Sequence, residues 1–149
     1  MGLDLAIRNG TIVDGSGAPR FQADIGIQDG QIVEIGRIRS GASQVIDAEG
    51  HMVAPGFIDG HTHMDAQVAW DPLGSCSCWH GVTSVIMGNC GFALAPCKPD
   101  QREWIARCLE AVEDIPTEAM MAGINWTWET FPEYLDNVDK LPKAINYGA

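Results

Sequence analysis

The sequence predicts a two-part α/β chain, with short antiparallel strands over residues 1–55 and the start of a parallel α/β region over 56–149. Three observations predict it. Short apolar runs punctuated by Asn-Gly, Asp-Gly and Glu-Gly turns fill the first third. The grammar changes after Pro55-Gly56, where the order becomes strand, loop, strand, helices, strand. A compact apolar run, Thr83-Ser84-Val85-Ile86-Met87, then reads as a strand buried on both faces, as in parallel sheets.

The elements follow in order. Leu3, Leu5 and Ile7 alternate with polar or small residues, Asn9-Gly10 reads as a hairpin turn, and Thr11-Ile12-Val13 returns. Asp24–Ile27 and Ile32–Ile35 form a second hairpin around Asp29-Gly30, and a third pair surrounds Glu49-Gly50. Together they suit part of a small sandwich or open barrel. Phe57–His61 reads as a short strand running into a polar cluster. Asp100 and Glu103 have capping-box spacing ahead of a stripe of Trp104, Ile105, Cys108, Leu109 and Val112. A short helix starts at Thr117 and stops at Gly123. Thr130 and Glu133 repeat the capping-box spacing before Tyr134, Leu135, Val138 and Leu141, with Pro142 as a stop. Ala144–Tyr147 opens another strand.

Composition narrows the function. The 149 residues carry 20 acidic and 9 basic side chains, a net charge of -11, which disfavours nucleic acid and anionic membrane surfaces as partners. Pro72 to Cys97 lacks Asp, Glu, Lys and Arg, but its glycines, His80, Asn89 and Pro96 make it a poor membrane helix. The start lacks a basic segment followed by an apolar core, and Ala6 stands where a myristoylation signal has Ser or Thr. Five cysteines, an odd number, do not read as a disulfide framework, so the expected compartment is the cytoplasm.

The main chemical signal is His61-Thr62-His63. Histidines at i and i+2 on a strand share a face, and neutral imidazoles there can hold one divalent metal. His-x-His is common, but its place directly after an apolar strand raises its weight. Cys90 follows the second strand between Asn89 and Gly91. As a thiolate it suits zinc, and as a thiol it is an inert core residue. Asp59 shares the parity of the histidines, and either orients a ligand or is satisfied by backbone. Asp65 and Asp71, in the next loop, can reach the same mouth, although solvated loop acids are the plainer reading. Cys76 and Cys78 lack a matching pair at zinc-ribbon spacing. Cys97 and Cys108 read as structural, as does His80 at the opposite strand end, and His51 as unrelated to chemistry. No nucleophile elbow, phosphate loop or dinucleotide fingerprint is present.

The run Ala54–His63 resembles the first barrel strand of the amidohydrolase superfamily, and Ile7–Gly15 resembles the start of its N-terminal region. Met64–Gln67, Trp70-Asp71-Pro72, Trp79–Thr83 and Met87–Phe92 are most similar to the N-acyl-D-amino-acid deacylase (D-aminoacylase) group. Glu113–Pro116 and Trp128–Leu135 extend the likeness.

That resemblance implies a small β-sandwich, of which residues 1–55 are the N-terminal part, and a (β/α)8 TIM-like barrel starting at residue 56. The barrel is incomplete, with its first two to three strands. It implies one or two zinc ions held by His61, His63 and Cys90, with Asp59 and Asp65 behind them. The implied substrate is a small N-acyl amino acid, and the reaction is hydrolysis of the amide bond of N-acyl-D-amino acids. Family members run to several hundred residues, so the expectation is an N-terminal fragment, inactive alone, with general acid/base and further ligands beyond Ala149. Two alternatives stand beside it: a cyclic-amide hydrolase resembling dihydroorotases and hydantoinases, and a non-catalytic truncated chain.

Overall fold

A computed structural model describes residues 2–149. The chain divides into two compact units, one ending at Pro55 and the other spanning Gly56–Ala149.

The first unit is built on β1 (Leu3–Ile12), with β2 (Phe21–Gln28) and β3 (Gln31–Gly36) following it outward on one side. The β2–β3 hairpin forms as expected, and Asp29 and Gly30 at its turn both have positive φ. The all-antiparallel expectation does not hold. β4 (Ala42–Asp47) and β5 (Met52–Val53) both pair parallel with β1, at Leu3–Arg8 and at Thr11–Ile12 respectively. Glu49-Gly50 therefore joins two strands that lie along β1, not two that pair with each other.

Asn9-Gly10 is not a turn either. β1 runs through it, with a register shift against β2 between Ile7 and Gly10. Asn9 takes the left-handed conformation (φ 62°) that favours Asn-Gly in turns. Its N–H donates to Asp24 Oδ1 and its side-chain amide donates to Asp47 Oδ1, both at 2.9 Å. Bonds to flanking strands convert a turn signal into a bulge. The core of this unit is small: Leu3, Ala6 and Ile38 pack together with Ala42.

The second unit carries a three-stranded sheet in the order β6 (Phe57–Thr62), β7 (Val82–Met87), β8 (Asn146–Gly148), all parallel. A 3-10 turn (Gln67–Ala69) and α1 (Ser75–Cys78) connect the first two strands. A 3-10 turn (Pro99–Gln101), α2 (Arg102–Glu113), α3 (Thr117–Gly123) and α4 (Phe131–Asp139) connect the next. Val85 and Met87 of β7 pack with Leu94, Ala106, Leu109, Met120, Trp128, Tyr134 and Val138. The expectation of two buried faces is corrected: on β7, Val85 and Met87 are buried while Ile86 between them is exposed, and on β6 both Phe57 and Ile58 are exposed.

Helix starts differ in how closely they follow the sequence signals. At α4 the capping box forms, and Glu133 Oε2 accepts the Thr130 and Glu129 N–H groups, both at 2.9 Å. At α2 it does not, because Pro99–Gln101 winds into a 3-10 turn and Gln101 becomes an N-cap without a side-chain bond. The α2 stripe is also rotated from expectation: Ala106 and Leu109 are buried, while Trp104 and Val112 are exposed. α3 has the bounds its sequence predicts. No helix among the described residues is long and apolar enough to cross a membrane.

Candidate metal centre

The carboxyl ends of β6 and β7 lie side by side, with Thr62 in register with Met87. The buried Thr62 hydroxyl donates to the Ile86 carbonyl oxygen at 3.0 Å and ties the two ends together. His61 lies in the last turn of pleat and His63 directly after it, with rings stacked at 5.5 Å between centroids. Cys90 sits in the loop leaving β7. Gly88 and Gly91 flank Asn89-Cys90 with φ of 70° and 88°, conformations that side chains beyond glycine rarely take. This backbone turns the loop back over the strand ends. The Asn89 amide then donates to the Gly60 carbonyl oxygen at 2.8 Å, and the Phe92 N–H approaches Cys90 Sγ at 3.4 Å.

One potential ligand atom from each of His61, His63 and Cys90 falls within 4.8 Å of the others. Cys90 Sγ and His63 Nδ1 are 4.0 Å apart. In a tetrahedral zinc site, ligand atoms stand about 3.5 Å apart, as bonds of about 2.1–2.3 Å require. From the 4.8 Å that spans the cluster, a contraction of about 1 Å brings one donor of each residue into that range. Two imidazoles and a thiol are also donors that zinc prefers. The residues present fit a zinc ion, with coordination positions left over.

Two buried carboxylates, Asp65 and Glu113, have oxygens without a hydrogen-bond partner. Asp65 is buried, 2% exposed, which corrects its reading as a solvated loop acid. Neither of its oxygens completes a hydrogen bond. Burial pushes its pKa up to about 6, and the Asp65 and Gly88 backbone N–H groups offset this only in part. Glu113, the last residue of α2, has a side chain 3% exposed and two unpartnered oxygens. Burial, and then the charge of Asp65, push its pKa up to about 7. Its Oε1 stands 3.9 Å from His63 Nδ1. Sequence reasoning gave Glu113 no role, because only the packing of α2 brings it to the strand ends.

The remaining candidates stand apart from the donor cluster. Asp59 is exposed, and its Oδ1 accepts the His61 N–H at 3.2 Å, a local backbone bond. Asp71 Oδ2 accepts the Ser75 N–H and hydroxyl, tying down the start of α1. His80 bonds the Cys76 carbonyl and His51 the Glu49 carbonyl. All five cysteines are free thiols.

A family-level comparison decides the ancestry: residues 44–148 match the description "Amidohydrolase family". The chain belongs to the amidohydrolase family. Within it, the chain is similar to the D-aminoacylase of Alcaligenes xylosoxydans xylosoxydans, with 35% identity over 144 residues, 96% of this chain and 28% of that protein. Its structure resembles that of N-acyl-D-glutamate deacylase from Bordetella bronchiseptica, crystallised with zinc and a phosphonate mimic of the tetrahedral intermediate. The TM-score is 0.79 at 33% identity, over 99% of this chain and 29% of that one. A crystal structure of D-aminoacylase, described as defining a novel subset of amidohydrolases, gives a TM-score of 0.77 at 31% identity over 97% of this chain and 28% of that one. This amidohydrolase chain spans about a quarter of the length of the curated relatives it matches.

Proposed function

We propose that this chain supplies His61, His63 and Cys90 to a zinc site, of one or two ions, in an enzyme that hydrolyses the amide bond of N-acyl-D-amino acids. The observation that carries the reading is the convergence of those three donors at the adjoining ends of parallel β6 and β7. The chain resembles deacylases along nearly its whole length, and one of them was crystallised with zinc.

Zinc bound there supplies a polarised acyl carbonyl and a water acidified to a pKa near about 7. The chain's own residues have distinct tasks. His61 and His63 present neutral nitrogens and Cys90 presents sulfur. Asn89 holds the Cys90 loop against β6. Asp65, two residues after His63, is buried and not in solvent. No residue of this chain is assigned as general acid or base; that group and the remaining ligands lie outside residues 1–149 in this reading.

The architecture that goes with this function places residues 1–55 in a composite β-sandwich and residues 56–149 at the start of a (β/α)8 barrel. β6, β7 and β8 are then its first strands, and the donors stand at its carboxyl-end mouth, where such barrels carry their chemistry. The substrate is a small N-acyl amino acid, with neither nucleic acid nor membrane as partner. The free cysteines are in keeping with a cytoplasmic location.

The test uses the protein isolated from its source, zinc-loaded, and offered N-acetyl-D-amino acids, their L enantiomers and a dihydropyrimidine. Release of free D-amino acid that is abolished by His61→Ala and by Cys90→Ala is the expected result. Ring opening in place of deacylation, no turnover of any N-acyl-D-amino acid, or turnover that survives both substitutions overturns the reading.

A further inference from the structure

Glu113 is held at three costs to stability. Its carboxylate is buried, its oxygens have no hydrogen-bond partner, and it stands at the C-terminal end of α2, where the helix dipole disfavours negative charge. Asp65, equally buried and unpartnered, adds repulsion from nearby. Among the described residues, the one basic group within 4.0 Å of Glu113 is His63. Neither carboxylate belongs to the donor cluster itself, which comprises His61, His63 and Cys90. Glu113 therefore sits beside a candidate ligand, on the side of its Nδ1, the nitrogen that also stands 4.0 Å from Cys90 Sγ.

A metal-bound imidazole needs its second nitrogen fixed, and a carboxylate that accepts the N–H sets both tautomer and ring orientation. Hydrogen bonds around a functional site are often long before its ligand binds and tighten afterwards. The 3.9 Å between Nδ1 and Oε1 needs to close by about 1 Å to become such a bond.

We infer that Glu113 is the positioning residue of His63: by accepting the Nδ1–H it draws that nitrogen from Cys90 Sγ to itself, and the ring then offers Nε2 to the metal. The inference rests on the reading of His61, His63 and Cys90 as metal ligands. It makes the strain at Glu113 part of the site's design, because the buried carboxyl group that lacks a hydrogen-bond partner in the metal-free chain orients the ligand.

The experiment compares zinc binding by the chain and its Glu113→Gln, Glu113→Asp and Cys90→Ala variants, using competition with a chromophoric chelator. Thermal midpoints of the metal-free proteins and 15N shifts of the His63 ring in the zinc-loaded proteins are recorded alongside. Glu113→Gln is expected to weaken zinc by about 10- to 100-fold, the range for partners behind a ligating histidine. Glu113→Asp recovers part of that loss. The metal-free midpoint of Glu113→Gln stays level or rises, whereas a merely structural glutamate would lower it. The loaded wild type shows His63 metallated at Nε2 and protonated at Nδ1. Undiminished zinc affinity in Glu113→Gln, a Glu113→Gln chain that does not fold, or metallation at Nδ1 overturns the inference while wild-type binding and its loss in Cys90→Ala keep the ligand reading. A wild type that binds no zinc removes both.

Discussion

The Asn89 side-chain amide donates to the Gly60 carbonyl oxygen at 2.8 Å, joining the loop that carries Cys90 to the strand that carries His61. Parallel pairing of β6 with β7 brings the two segments together, and this bond then holds the Cys90 loop over the end of β6. Asn89→Ala is expected to weaken zinc binding by about five-fold, equivalent to about 1 kcal/mol for one neutral hydrogen bond, and to leave the fold intact. Calorimetric titration of zinc into both proteins checks it. An unchanged affinity would show that Gly88 and Gly91 alone shape the loop.

Tyr134 couples α4 to the segment following the histidines. Its buried hydroxyl donates to the Asp65 carbonyl oxygen at 3.2 Å, and its ring meets Trp128 edge-on at 5.1 Å. Tyr134→Phe keeps the aromatic contact and strands a buried carbonyl. Stability should fall by about 1–2 kcal/mol in urea unfolding. A loss below about 0.5 kcal/mol, within the range of ordinary surface changes, would mean that water or another donor replaces the hydroxyl.

The rotated α2 stripe separates two apolar residues that the sequence had grouped. Leu109 is 1% exposed and Trp104 67% exposed. Leu109→Ala should cost about 2–5 kcal/mol, as filled core positions do. Trp104→Ala should stay within about 0.5 kcal/mol. Equal effects would contradict the helix orientation.

Glu133 gives the acid limb of stability a defined source. The Thr130 and Glu129 N–H groups hold its carboxyl below the usual carboxylate range. A folded-state pKa below the unfolded one contributes stability that is present above the unfolded value, about 4.3, and lost as pH falls through the depressed value. Glu133→Gln retains a capping acceptor but cannot titrate, so its amide-exchange protection in α4 should be flatter below about pH 4.3 than that of wild type. Parallel pH profiles would contradict this.

Much of the architecture was legible because it is local. Asp29-Gly30 specified a hairpin, Thr117 and Gly123 bounded α3, and Thr130 with Glu133 started α4. The misread parts turn on long-range partners. Asn9-Gly10 has a turn's conformation but meets Asp24 and Asp47 on neighbouring strands and becomes a bulge. β4 and β5 pair parallel with β1, a choice that no adjacent residue encodes. His61, His63 and Cys90 could be singled out by type and by position at strand ends. Asp65 was named as a residue behind the ligands, but its burial was not legible, and Glu113 was given no role, because burial of a loop acid and of a helix-terminal glutamate follows only from how α2 and the loop pack.

The central claim is that His61, His63 and Cys90 act together as ligands, and zinc affinity in Cys90→Ala tests it most directly. The account predicts binding that falls by about 10-fold or more in Cys90→Ala. It predicts no change in Cys108→Ala, whose sulfur, on α2, is not one of the converging donors. Zinc bound equally well by wild type and Cys90→Ala would contradict it.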